Sequence, residues 1–109
     1  MRRVDKPWGR EIIWAETESY VGKIIYINPG SRLSKQYHEN KEETVYVLEG
    51  ILLNYTENHT EKYFPGQSLH INPKQIHRFG APEDRITKIV EVSTNHLEDV
   101  VRLEDDYDR

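Results

Sequence analysis

Turn-forming residues interrupt this sequence so often that no segment before residue 95 can run as a long helix. The breaks fall at NPG (28–30), EG (49–50), PG (65–66), NP (72–73) and GAP (80–82). Glycine there supplies backbone conformations that other residues resist, and proline fixes φ and removes a hydrogen-bond donor. The apolar residues gather in the runs EIIWA, VGKIIYI, TVYVL, ILLNYT, KYF, SLHI and TKIVEV. These runs are rich in β-branched and aromatic side chains and hold no sustained helical period. Seven or more short strands in 109 residues predict one all-β domain over residues 1–109, a small antiparallel barrel or sandwich of two sheets. The stretch NHLEDVVRL near the end fits either a helical turn or a last strand.

KIIYI and ILL place apolar residues at consecutive positions, so those strands need cover on both faces. A second sheet or a second copy of the chain is expected to supply that cover, and a homodimer is predicted on this ground. Trp8 and Trp14 are read as packing residues rather than sugar-stacking platforms. The net charge of −4, with acids concentrated in LEDVVRLEDDYDR, offers no attraction to a polyanion, so nucleic acid is not an expected partner. No apolar run approaches the ~20 residues that cross a bilayer, and no leader pattern is visible; no membrane partner is expected, and the expected compartment is the cytoplasm. With no cysteine, a bound metal would be held by nitrogen and oxygen alone.

Such ligands cluster in SKQYHENKEETVYVLEG (34–50). In an extended segment Gln36 and His38 share a face, and in the following strand Glu43, Val45 and Val47 share one, opposite Thr44, Tyr46 and Leu48. If the valines face inward, Glu43 does too. A fourth group is available from INPKQIHRF, where His77 shares a face with Phe79. Two imidazoles, one carboxylate and one amide oxygen suit Zn²⁺, Mn²⁺, Fe²⁺, Co²⁺ or Ni²⁺ without choosing among them. The same residues also read as a polar turn with hydrogen-bonded histidines. Glu39 and Glu42 are expected in solvent, and His59, His70 and His96 exposed or structural.

The pattern Gly30, Gln36, His38, Glu43, Gly50 resembles the first cupin motif with Gln in place of its first His. PGSRLSKQYHENKEETVYVLEG is similar to the corresponding segment of the cupin domain in type II mannose-6-phosphate isomerases. KPWGREIIWAETESYVGKIIYINPG resembles an earlier segment of that domain, and VVRLEDDYDR resembles its ending, VxRxEDxYGR. The second cupin motif runs from Gly66 to His77, but INPKQIH departs from the usual IPxGxxH: Pro73 is displaced by one position and Lys74 stands for glycine. Lys35 stands where the family has Leu, and Asp108 where it has Gly.

The resemblance implies a cupin double-stranded β-helix and one divalent metal ion held by Gln36, His38, Glu43 and His77. It marks Arg102, and after it Arg109, as binding residues for a sugar phosphate. Arg32, Lys35 and Arg78 lie near the ligands in sequence but also read as solvated charges paired with acids, a reading that the outward parity of Arg78 favours. Lys35 should face an outer surface or subunit contact unless a local twist turns it toward substrate. The implied activity is a metal-dependent interconversion of mannose 6-phosphate and fructose 6-phosphate through an enediol, with the catalytic base unassigned. Against it stand an Fe²⁺-dependent oxygenase on the same scaffold and a non-catalytic sugar-binding module, since no nucleotidyltransferase domain of the bifunctional members is visible in these residues.

Overall fold

Every apolar run named above lies in or overlaps a strand of the computed structural model, which describes residues 1–109. In chain order the strands are β1 (Arg2–Lys6), β2 (Gly9–Glu16), β3 (Tyr20–Ile27), β4 (Lys35–Tyr37), β5 (Glu43–Glu49), β6 (Leu52–Tyr55), β7 (Thr60–Tyr63), β8 (Ser68–Ile71), β9 (Phe79–Gly80), β10 (Thr87–Thr94) and β11 (Val101–Glu104). The open alternative at the C-terminus resolves to a strand. β1 escapes notice in the sequence because RRVDK carries four charges; it is an edge strand, where charge discourages further pairing.

One antiparallel sheet has the order β1-β2-β3-β10-β5-β8. Facing it are β11-β4 and β7-β6-β9, joined by antiparallel bridges between Gln36 and His77 and between Arg32 and Gly80. The Gln36 amide donates to the His77 carbonyl at 3.0 Å and the His77 amide returns the bond at 2.9 Å. These bonds bring two candidate ligands onto adjacent backbone. No helix is long and apolar enough to cross a membrane.

Strand register divides the barrel interior into two ends. Glu11, Ile25, Ile89 and Val47 form one row across β2, β3, β10 and β5; Ile13, Lys23, Glu91 and Val45 form the next. Toward one end the rows close on Ile27, Leu52, Phe79 and Trp8, a dry core. Toward the other they carry Lys23, Glu91, Ser93 and Glu43 inward. The consecutive apolar residues of β3 alternate after all: Ile25 and Ile27 are buried, while Ile24 lies in an outer row with Ile12, Val90 and Tyr46. Trp8 is core. Trp14, beside a bulge in β2, is 45% exposed and lies over Gly22, where an added Cβ would stand 2.6 Å from the indole.

Both positions that depart from the family's glycines keep a left-handed backbone. Lys74 has φ 68° and Asp108 has φ 59°. The Lys74 amide donates to the His38 carbonyl at 2.6 Å, and Gln75 closes the turn through Asn72. The turn is thus closed with a left-handed residue at position 74, at a steric cost on the order of 1 kcal/mol for a residue with a Cβ. Lys74→Gly is expected to raise the unfolding free energy by about 0.5 kcal/mol, and Lys74→Val to lower it by about 1 kcal/mol, measured by urea titration.

Candidate metal centre

His38 follows β4, Glu43 opens β5 and His77 precedes β9, so three strand ends bring their side chains to one point. All three are buried, and one ligand atom from each lies within 4.8 Å of the others. His38 Nδ1 lies 2.5 Å from the Asp99 carbonyl, and His77 Nδ1 lies 3.1 Å from the Gln75 carbonyl. A carbonyl can only accept, so each Nδ1 carries a proton, and in the neutral imidazole each Nε2 then presents a lone pair. Those lone pairs face Glu43 Oε1 at 3.9 Å and 3.3 Å. Gln36 lines the same cavity; its Nε2 donates to the Ser34 carbonyl and hydroxyl, which leaves its amide oxygen available.

Three buried acceptors thus converge with no donor among them, and a cation satisfies such a set. Lys41 Nζ lies 3.0 Å from Glu43 Oε2 and 3.1 Å from Glu91 Oε2, yet neither oxygen receives an aligned hydrogen bond. The donor set and its geometry fit a divalent ion of the borderline class.

The interior charges set one another's protonation. Burial alone would raise the Glu43 carboxyl, but the closeness of His77 and the Lys41 ammonium holds it well below its ordinary value. Burial, helped by Lys41, lowers His38 and keeps its Nε2 free of a proton. Burial and the adjacent Glu43 charge push the Glu91 carboxyl up to about 8. Lys41 is raised despite its burial, because Glu91 and Glu43 flank it.

The cavity holds about 220 Å³. Behind the triad its wall includes Lys41, Glu91, Lys23 and Glu11, and its more exposed rim carries Arg2, Lys6, Arg102 and Arg109. Arg102 pairs across the backbone with Gln36. Arg109 also lines the cavity, with its guanidinium bound to Asp105 at 2.9 Å. Arg78 corrects the outward reading: it is 5% exposed, though it does pair with acids, Glu104 and Asp106. Arg32 also binds Asp106 and helps tie down the C-terminal segment. Lys35 Nζ lies 3.9 Å from Glu104 and does not line the cavity. His59, His70 and His96 are exposed, as are Glu39 and Glu42.

Sequence reasoning overlooked Lys41, Glu91, Lys23, Glu11 and Asp99. Strand parity carried a signal for three of them, since Glu11 alternates with Ile13, Lys23 with Val21 and Ile25, and Glu91 with Ile89. Asp99 left none: its carboxylate accepts from the amides of Glu39, Asn40 and Lys41 across some sixty residues of chain.

A family model described as mannose-6-phosphate isomerase C-terminal matches residues 1–105. Among curated relatives, the alginate biosynthesis protein of Pseudomonas aeruginosa is 30% identical over 97% of this chain and 23% of its own length. A mannose-1-phosphate guanylyltransferase of Salmonella typhimurium is 32% identical over 99% of this chain and 23% of its own length. The chain thus spans less than a quarter of these relatives. Among solved structures, a double-stranded β-helix protein from Klebsiella pneumoniae superposes with a TM-score of 0.79 at 16% identity, covering 95% of this chain and 86% of that one. A cupin-superfamily sugar phosphate isomerase from Silicibacter pomeroyi gives 0.73 at 18%, covering 82% and 60%. These likenesses establish the cupin double-stranded β-helix as the fold.

The raised Glu91 carboxyl has a thermodynamic signature. Its proton is held more tightly in the folded state, so its contribution to stability is lost as pH rises from the ordinary carboxylate range toward about 8. In chelator-treated protein, raising the pH from ~5 to ~8 should therefore lower the melting temperature of the wild type relative to Glu91→Gln. Parallel melting profiles for the two proteins across this range would remove Glu91 as the source.

Proposed function

The chain belongs to the mannose-6-phosphate isomerase C-terminal family, and on that premise we propose that it is a metal-dependent sugar-phosphate isomerase. Its substrates in this reading are mannose 6-phosphate and fructose 6-phosphate, or a closely related aldose–ketose pair. The observation that carries the reading is the convergence of the His38 and His77 lone pairs on Glu43 inside a cavity with a cationic rim. Gln36, His38, Glu43 and His77 would hold one divalent ion, Zn²⁺, Mn²⁺, Fe²⁺, Co²⁺ or Ni²⁺. When bound, the ion supplies a Lewis acid for the sugar's carbonyl end and its developing negative charge.

The chain's own groups do the rest of the positioning. Arg102, which has no carboxylate partner, takes the phosphate as a paired donor, with Arg109 and Lys6 adding positive potential at the rim. The Lys41 ammonium, fixed on the cavity wall, adds a preorganised positive charge beside the reacting oxygens. Glu43 is committed to the ion, so it is not the base that moves the proton. A sugar-binding module without turnover would use the same cavity, and the fraction of the relatives' length that the chain represents keeps that second reading in play.

A second copy of the chain is part of the proposal. Trp14, Tyr46, Leu48 and Val92 stand exposed on the outer face of the six-stranded sheet, beside the row Ile12, Ile24 and Val90. A homodimer through this face supplies the cover that these apolar residues need.

Incubating mannose 6-phosphate with metal-loaded protein in deuterated water should exchange the C2 hydrogen. Folded His38→Ala and His77→Ala variants should lose both the exchange and the bound metal. Metal binding with no exchange would favour the binding module. Light scattering should give a dimer mass at micromolar concentration, and Val92→Asp should shift it toward the monomer; a monomeric wild type would exclude the dimer.

A further inference from the structure

Glu11 and Lys23 form a second charged pair inside the barrel, apart from the triad and unused by the reading above. Lys23 Nζ lies 3.2 Å from Glu11 Oε1, and the two side chains are only 11% and 9% exposed. Both line the cavity that holds His38, Glu43 and His77. Lys23 is opposite Glu91 in the register, and Glu91 is opposite Val45, so Lys23 stands two strands from Glu43's strand. That separation is about 10 Å of sheet, comparable to the length of a six-carbon sugar.

An ion pair in this position costs stability, because apolar residues of equal volume avoid the desolvation of two charges. The pair also leaves capacity unspent. Glu11 binds Lys23 through one oxygen, and the ammonium uses one of its three donors there; both residues line the cavity, which leaves that capacity for a ligand. A carboxylate beside an ammonium complements neighbouring hydroxyls, which donate to the first and accept from the second. A phosphate is disfavoured there by the Glu11 charge, and an apolar ligand would strand both groups.

We infer that Glu11 and Lys23 form a hydroxyl-recognising subsite that binds the polyol portion of a sugar phosphate at the far side of the cavity from the metal ligands. The inference rests on the sugar-phosphate reading of the cavity. It assigns the pair to selecting substrate by hydroxyl content, not to the proton transfer.

Binding of a hexitol phosphate, which has no carbonyl and cannot isomerise, tests this apart from turnover. Calorimetry on Mn²⁺-loaded protein compares it with glycerol 3-phosphate, which has fewer hydroxyls. Glu11→Gln keeps an oxygen for Lys23 and Lys23→Met keeps its bulk. Each should weaken the hexitol phosphate by about tenfold or more while leaving glycerol 3-phosphate and Mn²⁺ within about twofold. Unchanged hexitol phosphate affinity in folded variants, or an equal loss for both ligands, overturns the subsite. If Lys23→Met does not fold, Glu11→Gln decides alone. Absence of C2 exchange alongside the expected selective loss would sink the isomerase and leave the subsite standing; a wild type that binds neither phosphate ester would sink both.

Discussion

An ammonium group shielded from water, Lys41 Nζ, sits between the carboxylates of Glu43 and Glu91, and the polar half of the barrel is arranged around it. A lone carboxylate in that interior would take up a proton, and a lone ammonium would give one up. Together they keep Glu43 ionised beside the two imidazoles; with the imidazoles neutral, all three groups can coordinate a cation. Removing Lys41 would leave the Glu43 charge uncompensated in a medium that screens it poorly.

Lys41 reaches this position because the turn that carries it is pinned from a distance. Asp99 accepts three successive backbone amides of that turn through its carboxylate, while its carbonyl orients the His38 ring. One residue of the segment after β10 thus sets both the height of the ammonium and the tautomer of a ligand. The C-terminal strand is fastened in turn by Arg78 and Arg32 through Glu104 and Asp106, which holds Arg102 at the cavity rim. The acidic tail supplies the partners of a buried arginine, Arg78.

The two ends of the barrel do different work. Ile27, Leu52, Phe79 and Trp8 close one end with dry packing and supply the apolar burial that holds the sheets together. The other end carries five interior ionisable groups, Glu11, Lys23, Lys41, Glu43 and Glu91, around a cavity. A domain this small has little core to offset such burial, and the pairing of Lys23 with Glu11 and of Lys41 with Glu43 makes the charges offset each other instead.

Local chemistry determined much of this from sequence alone. Glycine and proline spacing divided the chain into short strands, and two-residue periodicity put Glu43 with Val45 and Val47 on the buried face. Gln36 and His38 shared a face for the same reason, and family resemblance joined them to His77. It did not reveal that Lys74 and Asp108 would accept the left-handed backbone of the glycines they replace, because a residue's identity shows the strain but not the contacts that impose it. Nor did it reveal the burial of Arg78 and Lys41, or the pairing of Glu11 with Lys23. A charge enters a core only when a partner meets it there, and these partners come from other strands or from chain far away in sequence. Alternation along a strand says which way a side chain points; only the closed barrel decides what it meets.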